Sequence, residues 1–417
     1  MLFWRVLSKR HLALLWSSQV LSAIGDYFYQ IAVMWIAIKV AGGAGGIVIA
    51  AQSGAALVCG LLGGVYVDRW NRRTTMIAVD VLRGLVVGTL PIMALYGSLQ
   101  LWYMILVGIV IGGLGALFNP ALSASMPALT EDPQTLQASN GLMDVTRRLA
   151  RALGPSMAGL LVSLIPLKHF FTLDAISFGI SALAVLLMGG RFAWQPEYSP
   201  TRKGGIGSII ADMAEAVDVI RRHPLISWMM VGMGVINGAW SAAFVVGAPL
   251  FADRVLHGNV GAYGLIVGAY GIGNVASNMI VSNLTIRHRT LTIMLGKIIV
   301  GVGFLIMVAT PFLPLALLGS ALASIGGPMG DMPYLTMMQT ELPQQHLGKA
   351  FSLDMTIGSL GSLLGILLAA PLYQYLSVPL AIACCSLLIV GVGVSGLWRF
   401  GITGPEQKTA VEQGMPE

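Results

Sequence analysis

Apolar runs of about twenty residues recur along this chain, separated by short turns that carry most of its charge. As an α-helix rising 1.5 Å per residue, such a run covers the roughly 30 Å hydrocarbon core of a bilayer, where every backbone N–H and C=O must be satisfied within the protein. The pattern therefore points to helices that cross a membrane. Composition agrees, because 56% of the 417 residues are hydrophobic, 10% are charged and 52 are glycine. Segmentation gives twelve spans near residues 12–40, 47–67, 75–96, 101–126, 140–165, 170–190, 225–249, 263–284, 291–309, 315–338, 350–372 and 378–398. The first is preceded by charges, contains Asp26 and is followed by no small-residue cleavage site. It is expected to stay as a span and not be removed as a leader.

Of the Lys and Arg outside the spans, all but Lys39, Lys168 and Arg254 lie on the side that holds the N-terminus. The bias predicts both termini in the cytoplasm of a multi-pass protein of the plasma membrane, the inner membrane in a bacterium. The pI near 9.3 then reflects contact with the inner leaflet, and no basic–aromatic element suggests nucleic acid.

The two halves resemble each other. Arg10, His11 and Trp16 align with Arg222, His223 and Trp228 at an offset of 212, and Glu131, Pro133, Gln134 and Asp144 with Glu341, Pro343, Gln344 and Asp354 at 210. Six spans are repeated in parallel, which an even number of crossings permits. The expected fold is all-α: twelve transmembrane helices in two six-helix bundles, 1–190 and 224–400, with a cytoplasmic linker at 191–223 and a cytoplasmic tail at 401–417. In the linker, Ile209, Ile210, Met213, Val217 and Ile220 share one helix face opposite acidic residues, which suits a helix lying on the membrane surface or one packed on protein.

A charge within a span costs about 2.5–3.5 kcal/mol on insertion scales, so each calls for a function or a partner. Asp26 lies about fifteen residues into the first span, roughly 20 Å deep. Gln19, Ser22, Tyr27, Tyr29 and Gln30 make that stretch polar enough to line a wet cavity. A carboxylate there suits proton exchange during transport, and equally an acid held by a cation from another span. Its repeat equivalent is Gly238. Asp80 and Arg83, at i and i+3, are expected to pair along one helix. Asp144, Arg147, Arg148 and Arg151 crowd the start of the fifth span with more cations than one acid can neutralise, and Asp68 and Asp354 are the expected partners across a cytoplasmic gate. Lys297 and Asp331, deeper in the second half, read as gate or packing residues, with substrate or proton contact as the alternative. The glycine stripes 108/112/115 and 358/361/365 read as surfaces for packing or rocking. Tyr27, Tyr29, Trp35, Asn237, Trp240, Phe244, Tyr270, Asn274 and Asn278 offer polar and aromatic surface suited to a bulky amphiphile.

Gly64-Val65-Tyr66-Val67-Asp68-Arg69-Trp70-Asn71-Arg72-Arg73-Thr74 joins the second and third spans. One carboxylate and three guanidiniums on so short a turn can hold two helices by ion pairs that break as the helices part. The pattern Gly-x-x-x-Asp-Arg-x-x-Arg-Arg resembles the signature loop of the major facilitator superfamily, with Asn71 where that family most often has Gly. Asn tolerates a left-handed turn almost as well. The resemblance implies the major facilitator fold and adds Arg69, Arg72 and Arg73 to the gate. Gly154-Pro155-x-x-Ala158-Gly159 resembles the antiporter signature of superfamily exporters, which implies proton-driven export. Phe118-Asn119-Pro120-Ala121, Asn140 and Arg151-x-x-Gly154-Pro155 are similar to the branch that holds macrolide-efflux and enterobactin-type siderophore exporters.

No nucleotide-binding loop, no soluble domain and no Ser/His/Asp or paired-His spacing argues for an enzyme, a cofactor or a metal. Cys59, Cys384 and Cys385 fall in apolar segments and read as small buried residues. The histidines fall at span ends, where solvated interfacial side chains are expected. The sequence thus predicts a monomeric secondary transporter that exchanges protons for a drug or siderophore by alternating access. A lipid or lysophospholipid flippase would share most of these features, as would a non-transporting receptor on the same scaffold, and solute flux dependent on Asp26 separates the receptor from the rest.

Overall fold

The computed structural model describes residues 6–66, 71–97, 99–130, 164–188, 220–258, 260–281, 286–342 and 347–401. It also describes positions 135, 138, 139, 142, 143, 146, 150, 154, 157, 161, 162, 217 and 218. Among the described residues there is no strand. In the first half, α1 (Arg10–Ala41) leads through a 3₁₀ turn (Gly42–Gly45) into α2 (Gly46–Tyr66), followed by α3 (Arg72–Leu95), α4 (Leu101–Leu129) and α5 (Lys168–Leu187). In the second, α6 (Pro224–Trp240) continues through a π-helical stretch (Ser241–Val246) into α7 (Gly247–Arg254). Then come α8 (Val260–Val281), α9 (Arg289–Val308), α10 (Leu313–Glu341), α11 (Leu347–Tyr375) and α12 (Val378–Phe400).

Ten stretches among the described residues are long and apolar enough to cross a membrane, and the first of them, Arg10–Gly60, takes in both α1 and α2. They match the expected spans except the fifth, 140–165, which falls mostly outside the described residues. Helix starts follow local chemistry. Proline, whose missing N–H costs nothing at a first turn, opens α6, α10 and α12. Large apolar side chains such as Leu85, Leu187, Leu368 and Trp398 stay exposed, as lipid contact requires and water would penalise.

The chain divides into two compact units, Met1–Thr201 and Arg202–Glu417. Their internal packing follows the sequence repeat. In the first unit α1 and α3 pack on α5, and α2 and α3 on α4; in the second the equivalent α6 and α9 pack on α12, and α8 and α9 on α10. Each unit has its own core. Leu12, Leu15, Met76, Phe118, Met126 and Val185 belong to one, with Trp16 against it; Ile226, Met229, Ile293, Met294, Met337 and Leu353 belong to the other, with Trp228 against it. Trp16 donates to Thr146 at 2.7 Å.

The glycine stripes are where helices meet. A Cβ on Gly112 would overlap the Gln52 carbonyl oxygen of α2, and one on Gly361 or Gly365 would overlap the carbonyl of Gly234 or Gly238 on α6.

Three local expectations are revised. Asn71 is not in a left-handed turn: its φ is −66° and its side chain caps α3 by accepting from the Thr74 N–H at 3.2 Å, the better use of an Asn at that position. His11 is buried, and its Nε2 donates to the Leu129 carbonyl at 3.1 Å, tying α1 to the end of α4. Ile220, from the linker's apolar face, is 3% exposed within the second core. At that end the linker helix packs on protein, while Ile209, Ile210 and Met213 lie outside the described residues.

Candidate functional site

Gln19, Ser22, Asp26 and Gln30 are spaced three or four apart, so they line one face of α1. That face borders a cavity of about 470 Å³ within the first unit. Gln52 and Ser53 of α2, Arg83 of α3, Asn119 of α4 and Thr146 complete a wall rich in amides and hydroxyls. Of the polar stretch expected to line a cavity, Tyr27 and Tyr29 are not among the lining residues, Tyr29 being buried; Gly112, where α4 comes closest to α2, and Gly115 sit on the same wall.

The cavity's charge is an ion pair. Arg83 donates from Nη2 to Asp26 Oδ1 at 2.9 Å; the Asp26 side chain is 36% exposed and that of Arg83 11%. The expected pairing of Arg83 with Asp80 along α3 is thus corrected: the guanidinium reaches across to α1. Geometry explains the choice, because the Arg83 guanidinium lies 4.0 Å over the Phe178 ring of α5 and is thereby held beside the cavity wall. Asp80 stays 1% exposed with its Oδ2 unpartnered among the described residues.

A third carboxyl adjoins this pair. Asp174 of α5 is 1% exposed, and a Cβ on Gly25, next to Asp26, would lie 2.6 Å from its Oδ1. Ser177 Oγ is close by but donates its one hydrogen to the Asp174 backbone carbonyl at 2.7 Å. Neither carboxyl oxygen of Asp174 has a hydrogen-bond partner among the described residues. Asp174 does not stand out in the sequence as a site residue. It stands six residues after Lys168, where an acid reads as interfacial; its interruption of the run Phe170 to Ile176 was the signal.

The second unit is built differently. Trp240, Phe244 and Tyr270 form an aromatic cluster with Phe304, the Phe244 and Tyr270 ring centroids being 4.4 Å apart, and Trp240 Nε1 donates to Tyr270 Oη at 3.0 Å. Asn237 donates to the Met233 carbonyl of its own helix, and Asn278 donates to the Asn274 carbonyl and side chain. Buried Lys297 pairs with Asp331, and Tyr334 donates to Asp354 at 2.9 Å. In the first unit Tyr29 is buried edge-on to Phe171, and Trp35 is buried with Lys39 over its ring. A Cβ on Gly154 would overlap the Tyr27 ring, so this glycine of the antiporter-like motif is a point of close approach to α1.

Of the expected gate, Asp68, Arg69, Asp144, Arg148 and Arg151 lie outside the described residues, as do Pro155, Ala158 and Gly159 of the antiporter-like motif. Arg73 is described: it donates to the carbonyls of Val185 and Leu186 at 3.5 and 2.9 Å, at the negative end of the α5 dipole. Among the described residues no group of His, Cys, Asp and Glu could hold a metal ion.

Residues 3–410 match the family described as transmembrane secretion effector. The chain is 24% identical over 377 residues to macrolide efflux protein A of Streptococcus pyogenes, covering 85% of this chain and 87% of that protein. It is 25% identical over 385 residues to the multidrug efflux pump Tap of Mycolicibacterium fortuitum, covering 89% and 91%. Among solved structures, the POT family transporter PepTSo superimposes with a TM-score of 0.67 at 13% identity, over 93% of this chain and 97% of that one.

Proposed function

Because the chain belongs to the transmembrane secretion effector family of major facilitator transporters, we propose that it is a proton-coupled exporter of a bulky amphiphilic compound, of which a macrolide is the first to try. The reading rests on one observation above all: an acid and a base paired on the wall of a polar cavity, with the acid half-open to it. A proton and the Arg83 guanidinium compete for the Asp26 carboxylate. When Asp26 is ionised it holds Arg83 and ties α1 to α3. When it takes a proton, the attraction is lost, the guanidinium is released and α1 and α3 are no longer tied. The paired and protonated states thus differ in how they hold α1 against α3, and antiport requires that the substrate favour the paired state and the proton the other.

In this reading the aromatic cluster of the second unit supplies apolar and stacking surface for the substrate. The protein works as a monomer in the plasma membrane with both termini in the cytoplasm, alternating access between residues 1–190 and 224–400. The turn bearing Asp68, Arg69, Arg72 and Arg73 is its cytoplasmic latch. The efflux names of its relatives favour this reading over a lipid flippase.

A gradient of one pH unit supplies about 1.4 kcal/mol per proton, enough for about tenfold accumulation of a neutral solute. Inverted vesicles acidified inside should therefore concentrate a radiolabelled macrolide well beyond protein-free vesicles, while right-side-out vesicles under an inward proton gradient should not. Accumulation in the opposite sense would make the protein an importer.

A further inference from the structure

We propose that Asp174 is a second proton-binding carboxyl of the exporter, linked to Asp26 through the Arg83 they flank. The proposal rests on the proton-coupled reading above and names a residue that reading does not use. Three acids, Asp26 on α1, Asp80 on α3 and Asp174 on α5, meet around one guanidinium. Only Asp26 has it in this state. Asp174 is as buried as any acid in the described chain, with two oxygens that no described donor reaches. An ionised carboxylate so placed would bear the full cost of desolvation, whereas a protonated one would not.

The surroundings supply the link. The helices packed on α5 are α1 and α3, and the titratable or charged groups they turn toward Asp174 are Asp26 and Tyr29 from the first and Arg83 from the second, with Asp80 near Arg83 and Asp26. The Tyr29 hydroxyl is buried and also lacks a partner among the described residues. Asp26, which borders the cavity, is the acceptor beside Asp174: when the Asp174 proton passes to it, Arg83 is released and the guanidinium becomes available to the carboxylate left on Asp174. One proton is bound at Asp26 and one leaves Asp174, so the net charge of the cluster stays constant through the exchange. The repeat equivalent of Asp174 at an offset of 212 is Ser386, buried and satisfied by the Ile382 carbonyl of its own helix, which cannot serve this way.

The test uses the full-length protein in lipid vesicles and the infrared carbonyl stretch of protonated carboxyl groups, followed against pH. Asp174→Asn should remove one protonated-carboxyl band present at neutral pH in the parent, and Asp26→Asn should keep that band but move its titration. If Asp174→Asn does not yield folded protein, Asp174→Ser, which copies the second unit, takes its place. A band that survives both substitutions at Asp174, or whose titration ignores Asp26→Asn, overturns the proposal. In inverted vesicles, Asp174→Asn should lower proton-driven macrolide accumulation at least tenfold, and parental accumulation would overturn the exchanging role. Should the parent itself show no proton-driven accumulation, the transport reading fails, while the infrared result still decides whether Asp174 binds a proton linked to Asp26.

Discussion

The two units share a packing plan and differ in what they place inside it. Where α1 carries Asp26 facing a polar cavity, the equivalent point on α6 is Gly238, whose added Cβ would lie 2.8 Å from the Gly361 carbonyl oxygen of α11. Where α5 buries Asp174, α12 buries Ser386. The first unit thus opens space around ionisable groups, and the second closes the same space with backbone contact and fills its neighbourhood with stacked rings. A duplicated scaffold can divide its labour in this way because helix contacts set by small residues tolerate change at the remaining positions. Proton handling is then expected of the first half and substrate contact of the second.

The comparison can be broken by making the second unit like the first. Gly238→Asp would add a Cβ in close contact with α11 and a carboxylate with no built partner. Overpacking and membrane burial together should cost about 4 kcal/mol. Thermal unfolding in detergent should show a large drop, with Gly391→Ala, where an added Cβ meets nothing within 4 Å, as the near-neutral control. A stable Gly238→Asp protein with a new titrating group would erase the distinction.

A smaller loss is expected from Arg83→Gln, about 2 kcal/mol, because Asp26 can partly solvate itself in the cavity once its cation is gone. The double variant Arg83→Gln/Asp26→Asn should recover much of that loss, since no charge is left unpaired. Strict additivity of the two single effects would mean that the ion pair does not hold α1 to α3. Smaller still is Trp240→Phe, which removes the donor to Tyr270 at a cost of about 1 kcal/mol. It should weaken macrolide binding while leaving proton coupling intact, and loss of coupling would show that the halves are not divided as described.

Much of this architecture was legible in the sequence, because membrane spans are long and a bilayer permits few alternatives. The ends of α3, α8 and α12 fall within a few residues of the segmentation. Gln19, Ser22 and Gln30 were readable as a cavity face because helical spacing aligns them with Asp26. Partnership was less legible. Arg83 reads as the neighbour of Asp80 since both lie on one helix, yet its partner comes from a span 57 positions earlier. Pairing between spans depends on which faces meet, and periodicity within one helix does not contain that information. Asp174 was missed for a related reason: its burial is created by α1 and α3, and Gly25 matters only once the helices are side by side.

The most direct test of proton handling in the first unit is transport by Asp26→Asn in inverted vesicles acidified inside, with a radiolabelled macrolide and protein-free vesicles as the baseline. The substitution keeps the shape of the side chain and removes its ability to exchange a proton. Accumulation should fall to the baseline while macrolide binding to the purified protein is retained. Driven accumulation at the parental rate would contradict the account and reduce Asp26 to a structural partner of Arg83.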